Sequence, residues 1–238
     1  MRIAFLLLIP SLFLVHAQPL DERIKNLITS HLAETIELRH WFHQHAELSN
    51  REFKTSERIA QELKKIGLNP QTGIARTGVV AVLNEGKPGP VVALRADIDG
   101  LPVKERADLP WASKMTGVYN GEEVPVMHAC GHDTHTAILL ATAKVLYSIK
   151  DQIPGQVKFI FQPAEEGPPP GEEGGAALMV KEGVLTNPDV DAIFGLLHYQ
   201  SIARMFTELG ADELKKLKWE HVAAKLVTVY EKTLAQRA

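Results

Sequence analysis

Apolar residues recur along the chain with changing period, and the changes divide it into elements. From Leu20 to Leu48 the residues Ile24, Leu27, Ile28, Leu32 and Ile36 are spaced by one, three and four, which predicts one apolar face of a helix. A second helix is predicted from about Thr55 to Ile66, with Ile59, Leu63 and Ile66 as its stripe and Gly67 as its stop. Two short β-branched runs, Gly78 to Leu83 and Val91 to Ala96, then flank the turn-rich link Glu85 to Gly89. Their apolar positions are continuous rather than alternating, the pattern of strands covered on both faces. Residues 101 to 127 carry scattered proline, glycine and charge and read mostly as loop.

Helical periodicity returns from His132 to Ile149, with Ile138, Leu139, Thr142, Val145, Leu146 and Ile149 as the expected inner face. Gln156 to Phe161 reads as the next strand, followed by a Pro/Gly/Glu surface loop and a short helix near Gly175 to Glu182. Asp191 to Leu197 reads as another strand, ending at His198. Alternating strands and helices predict an α/β sandwich of three layers around a mostly parallel sheet. In such sheets, sites form at the carboxyl ends of strands. Asp97, Glu165, Glu166 and His198 all follow predicted strands, which groups them before any chemistry is considered.

The two ends of the chain read differently. Met1-Arg2 is a short basic start, Ile3 to Val15 is an apolar run, and Val15-His16-Ala17 has small residues where a signal peptidase cleaves. Residues 1–17 are therefore expected to be a signal peptide, and the mature chain secreted or periplasmic. An uncleaved anchor is the alternative, and the run is short for a bilayer span. After signal removal no membrane association is expected. At the other end, residues 201–238 read as a helical tail, with Leu214, Leu217, Val222, Leu226, Val229 and Tyr230 on one face. The 238 residues carry a formal net charge of -3, which gives no electrostatic case for nucleic acid as a partner.

Ten histidines and one cysteine make metal worth seeking. The lone Cys130 cannot form a disulfide within the chain, so it is a buried thiol, an intermolecular link or a metal ligand. Met127 to His135 (MHACGHDTH) gathers three histidines, the cysteine and an aspartate. A thiolate and an imidazole two residues apart, at Cys130 and His132, can face one cation if the backbone turns at Gly131. Sulfur with nitrogen suits zinc, and carboxylates broaden the choice to manganese or cobalt. A free cysteine beside surface histidines is the plainer alternative for an isolated pair. His135 lies three residues beyond His132 and can share its side of a helix. His128, Asp133 and His135 are expected to support the ligands or to be structural rather than to bind metal, and a carboxylate near a ligating histidine commonly fixes its tautomer. Adjacent Glu165 and Glu166 at a strand end can divide two roles, one binding metal and one acting as general base. Asp97 is expected in a supporting role, and Asp99 is open between supporting a histidine and ligating metal, since turns also favour Asp-Gly. Glu172-Glu173 reads as solvated charge.

Four ordered segments, LRADIDGLPVKE, MHACGHDTHTAILLATA, FQPAEEG and GGAALMVKEGVL, resemble the amidohydrolase branch of the co-catalytic metallopeptidases (clan MH). That branch holds N-acyl-amino-acid, hippurate and auxin-conjugate hydrolases and related carboxypeptidases. RHWFHQHAELSNREFKTSERI resembles its opening helices, and the similarity spans about residues 21 to 198. The resemblance implies two divalent metal ions, zinc or manganese with cobalt as a further candidate. It implies Cys130 as a ligand shared by both metals, His132, Glu166 and His198 as further ligands, Glu165 as general base and Asp97 as a supporting aspartate. It implies metal-assisted amide hydrolysis of N-acyl amino acids or small peptides.

The chain departs from that pattern at named places. Ala46 stands where the family usually has proline, and Gly195-Leu196-Leu197-His198 has one leucine more than usual. The extra residue reverses side-chain direction in a strand unless a bulge absorbs it. The expected organisation is residues 18–200 as the N-terminal part of the catalytic domain, with no counterpart of the family's lid and last histidine ligand after His198. His221 reads as a surface residue. Without that lid the expectation of a homodimer stays open. A non-catalytic metal-binding fragment and an interaction module built on the tail are therefore carried as alternatives to an active hydrolase.

Overall fold

The computed structural model describes residues 19–195. The expected signal peptide, His198, His221 and the tail at 201–238 lie outside the described residues. Two long helices come first, α1 (Leu20–Gln44) and α2 (Phe53–Ile66). Asp21 and Glu22 in the first turn of α1 complement the positive end of its dipole. The Glu47 carboxylate accepts the backbone N–H groups of Lys54 (3.2 Å) and Thr55 (2.9 Å), satisfying free donors in the first turn of α2. Gly67 ends α2 at φ +102, a left-handed conformation, and the Tyr147 hydroxyl lies 2.5 Å from where a Cβ would stand.

The remaining elements are β1 (Gln71–Ile74), β2 (Gly78–Leu83), β3 (Val91–Asp97), β4 (Met115–Tyr119), β5 (Glu122–Val126), α3 (His132–Ser148), β6 (Gln156–Gln162), α4 (Gly175–Lys181) and β7 (Ala192–Gly195). The main sheet has the order β1-β2-β6-β3-β7. β6, β3 and β7 are parallel, β2 runs antiparallel to β6, and β1 runs antiparallel to β2. The expected α/β fold is observed, with β2 as the one strand that opposes the common direction.

Strand residues are buried alternately on two faces. Val79, Ala81, Leu94, Ala96, Phe159 and Phe161 join Phe42, Ile59, Leu63, Leu140 and Ala143 in the larger core beneath α2 and α3. Val80, Ala93 and Ile160 pack on the opposite face against Met179 of α4 and Val184. Covering both faces explains why the strands read as unbroken apolar runs. The register pairs Ala96 with Phe161 and Asp97 with Gln162. The two strands therefore finish side by side, and the segments that follow them emerge at one edge of the sheet.

Three local expectations are corrected. The segment 101–127 is not mostly loop, because β4 and β5 form an antiparallel hairpin. Its two-residue turn, Asn120-Gly121, has φ +53 and +85, as a type I′ hairpin turn requires. On α1, Leu32 and Ile36 are exposed, and the helix meets the main core through Leu38 and Phe42. Ile24, by contrast, packs on Val145 and Ile149 of α3. α3 is buried on two sides, by the sheet and by α1, so its deepest residues include Ala137, Leu140 and Ala143 outside the single expected stripe.

Candidate metal centre

The edge where β3 and β6 end gathers the titratable side chains. Asp97, the last residue of β3, is buried, and its Oδ1 pairs with Nδ1 of His135. Its Oδ2 accepts from Nη1 of Arg95 at 2.8 Å and lies 3.6 Å from Nε2 of His132. Burial alone pushes the Asp97 carboxyl up, but His135, His132 and Arg95 hold it below the usual carboxylate range.

His132 opens α3, after Gly131 in the left-handed region at φ +91. Its Nδ1 lies 2.8 Å from the Asp99 carbonyl oxygen and 3.1 Å from Asp99 Oδ1. An N–H at Nδ1 donates there, which turns Nε2 toward the carboxylates. Nε2 stands 3.6 Å from Glu165 Oε2 and 3.8 Å from Glu166 Oε1, too far for hydrogen bonds. Burial lowers the His132 pKa, but Asp99 and Asp97 outweigh it and raise the pKa to about 9.

Asp99 is buried and settles the question left open at that position. Its carboxylate faces the ring of His132, and its Oδ2 also accepts from the Ser49 hydroxyl (2.7 Å) and the Glu166 N–H (3.1 Å). It supports one expected ligand through the ring and another through the backbone.

Cys130 is exposed, so the buried-thiol alternative falls. Partial burial and the neighbouring Glu166 push its thiol up to about 12, because a thiolate there would face carboxylates. Glu165 is also raised, first by burial and then by Asp97 and Glu166 against the opposing effect of His132. Two sets of donor atoms lie within 4.8 Å of one another: Cys130, His132 and Glu166, and Asp97, His132 and His135. The first set matches three of the ligands expected from the sequence. The shared His132, with Nδ1 occupied by Asp99, has one nitrogen left for a cation. Sulfur, imidazole and carboxylate donors suit a divalent ion, and an excess of carboxylates around Nε2 is the electrostatic setting such an ion offsets.

Asp133 takes the structural role rather than that of supporting His132. A helix turns about 100° per residue, so Asp133 points away from His132, and Asp99 sets the tautomer instead. Asp133 Oδ2 accepts from Arg39 Nε at 2.8 Å and lies 3.0 Å from His43 Nδ1, while His43 Nε2 lies 2.7 Å from Glu105 Oε2. Burial lowers the His43 pKa, but Asp133 and Glu105 outweigh it and hold it above the ordinary histidine value. His128 is buried nearby, burial pushes its pKa down to about 4, and neither ring nitrogen has a hydrogen-bond partner among the described residues. Arg39, His43 and Glu105 were not singled out from the sequence, since their relation to Asp133 spans α1, a loop and α3.

Residues 93–207 match Peptidase family M20/M25/M40. The chain is 43% identical over 178 residues to thermostable carboxypeptidase 1 of Saccharolobus solfataricus, covering 74% of this chain and 42% of that protein. It is 42% identical over 169 residues to an N-acyl-L-amino acid amidohydrolase of Geobacillus stearothermophilus, covering 71% of this chain and 42% of that protein. The crystal structure of the Bacillus subtilis YXEP protein, described as a dinuclear metal-binding peptidase, superimposes with a TM-score of 0.62 at 38% identity, covering 72% of this chain and 44% of that one. This chain thus spans less than half the length of these relatives.

Proposed function

We propose, from the premise that residues 93–207 belong to Peptidase family M20/M25/M40, that this chain provides the metal site and general base of a hydrolase cleaving the amide bond of N-acyl amino acids or small peptides. The observation that carries the proposal is the meeting of Cys130, His132 and Glu166 around one point, with the Glu165 carboxylate 3.6 Å from His132 Nε2. The amidohydrolase and carboxypeptidase relatives supply the substrate class.

In this reading Cys130, His132 and Glu166 hold divalent metal, with His198 as a further ligand, and zinc or manganese as the ion. Two metal ions held there would supply Lewis acidity, making a water more acidic and the amide carbonyl more electrophilic. Glu165 is the general base, and its raised pKa brings it nearer the range where it both accepts and returns a proton. It takes a proton from water as the oxygen adds to the amide carbon. It then gives that proton to the nitrogen as the C–N bond breaks, leaving an amine and a carboxylic acid, which releases its remaining proton to solvent. Asp99 keeps His132 and the Glu166 backbone in place through both steps, and Arg95 and His135 hold Asp97 beside His132.

The test is metal content together with hydrolysis of a panel of N-acyl amino acids, on the wild type and on Glu165→Gln. Activity in the wild type and a fall of about 10²–10⁴-fold in kcat in the variant, with metal content unchanged, is the expected result. Metal without hydrolysis in the wild type would favour the reading as a non-catalytic metal-binding chain, and absence of metal would defeat both.

A further inference from the structure

Glu52 is a carboxylate that the chemistry above does not use. It precedes the first residue of α2 and is fully buried, at 0% exposure. It has no ion-pair partner among the described residues. Its Oε1 accepts the N–H of Ala164 at 2.8 Å, and its Oε2 accepts the Thr77 hydroxyl at 2.6 Å. Burial raises its pKa to about 7, while Thr77 and Ala164 work in the opposite direction.

The two partners place this carboxylate at a decisive point. Thr77 leads into β2 and Ala164 leaves β6, strands that pair antiparallel with Val79 opposite Phe161. Ala164 sits in the left-handed region at φ +48, which crowds a residue that carries a Cβ. Such a conformation persists where its surroundings hold it. The Glu52 carboxylate is one such hold, because it fixes the N–H of that residue. The next two residues are Glu165 and Glu166, and the N–H of Glu166 is held by Asp99. The segment carrying both glutamates is therefore suspended between two buried carboxylates, one on each side of Glu165.

We infer that Glu52 is a positioning residue for Glu165 and Glu166, acting through the backbone of Ala164. The inference rests on the proposed function for what the two glutamates do. It commits to a separate physical claim, that removing the Glu52 contact lets the turn relax and moves both carboxylates away from His132. A residue that merely tied α2 to the sheet would change stability without changing how the turn presents its glutamates.

Glutamine is nearly isosteric. Its carbonyl oxygen can accept from Ala164, and its amide can donate to the Thr77 oxygen, so Glu52→Gln retains the clamp without the charge. Glu52→Ala removes it. The experiment is a cobalt(II) titration of the full chain followed by visible absorption, with hydrolysis of N-acyl amino acids on the same samples. Glu52→Ala is expected to weaken cobalt binding about tenfold or more, the lower end of what supporting residues contribute. It is also expected to lower kcat to a similar extent while KM stays within about threefold. Glu52→Gln is expected to stay within about threefold of wild type in both readouts. Unaltered cobalt affinity and kcat in folded Glu52→Ala would overturn the inference, as would an equal loss in both variants. If Glu52→Ala does not fold, Glu52→Asp withdraws the carboxylate by one carbon and is expected to show the same loss of cobalt affinity. A wild type that binds cobalt but hydrolyses nothing would sink the proposed function and leave the cobalt series to judge Glu52 alone. A wild type that binds no cobalt would overturn both.

Discussion

His132 and Asp133 are neighbours in the first turn of α3, yet they enter polar clusters of opposite character. Asp133 joins Arg39, His43 and Glu105, where two cations face two carboxylates and the contacts between them are 2.7 to 3.0 Å. The cluster is held by its own hydrogen bonds, with Asp133 Oδ1 left without a partner among the described residues. His132 instead faces Asp97, Glu165 and Glu166 across 3.6 to 3.8 Å, distances at which no hydrogen bond forms. Three carboxylates face that one ring nitrogen, Nε2. Metal–ligand bonds of about 2.0–2.3 Å place neighbouring ligand atoms roughly 3–4 Å apart, which is the spacing these groups present. The lesson is that buried charge by itself marks nothing. A cluster tied by short hydrogen bonds fastens elements together, whereas carboxylates held at ligand spacing around one imidazole nitrogen are a candidate site for a cation.

The largest effect that tests this contrast concerns zinc. A ligand that binds only the folded state stabilises it by about 4 kcal/mol at a thousand times its dissociation constant. Zinc at that excess is expected to raise the melting temperature of the wild type accordingly. His132→Asn keeps a donor near Asp99 but removes the Nε2 that faces the carboxylates, and its melting temperature is expected not to respond at the same zinc concentration. An equal response in the variant would mean that the cation does not sit beside His132.

A smaller effect, with a pH signature, is expected in the closed cluster. Both ring nitrogens of His43 face carboxylates, and its folded pKa is raised above 6.5. The stability it contributes is therefore fully present below pH 6.5 and is lost as pH rises through the raised folded value. Breaking such a buried pair costs roughly 3 kcal/mol. His43→Gln is expected to lose about that much in urea denaturation at pH 6 and clearly less at pH 9, while zinc still stabilises it. A loss that is independent of pH would mean that His43 contributes by packing rather than by charge.

The two clusters were unequally legible in the sequence. Cys130 and His132 could be paired because only Gly131 separates them, and Glu165 and Glu166 could be added because they follow an apolar strand. The parallel register of β3 and β6 brings Asp97 and the segment carrying the two glutamates to the same end of the sheet. Asp133 could be placed only as supporting or structural, because its partners Arg39 and His43 lie on α1 and a helix turns adjacent side chains apart. Glu52 could not be reached at all, since it touches Ala164 across 112 positions and has no local pattern to mark it. The hairpin β4–β5 is a different case. Asn120-Gly121 was a readable turn, but Pro125 and a run of charged residues around it masked the strands.

That hairpin also supplies the smallest prediction, which serves as a control on the other two. In sequence it stands between Glu105 of the closed cluster and Cys130 of the open one, and the Leu101–Met127 bridge ties its base to the chain beyond Asp99. Gly121 has φ +85, and nothing lies within 4 Å of where its Cβ would be. Gly121→Ala therefore pays no steric penalty against neighbours, only the backbone cost of a left-handed alanine, about 1 kcal/mol. The expected result is a loss of that size in urea denaturation, with the zinc response and the pH dependence of the His43 contribution both unchanged. If Gly121→Ala also abolished the zinc response, the hairpin turn would be holding the open cluster in shape, and the two clusters could no longer be treated as independent products of one helix turn.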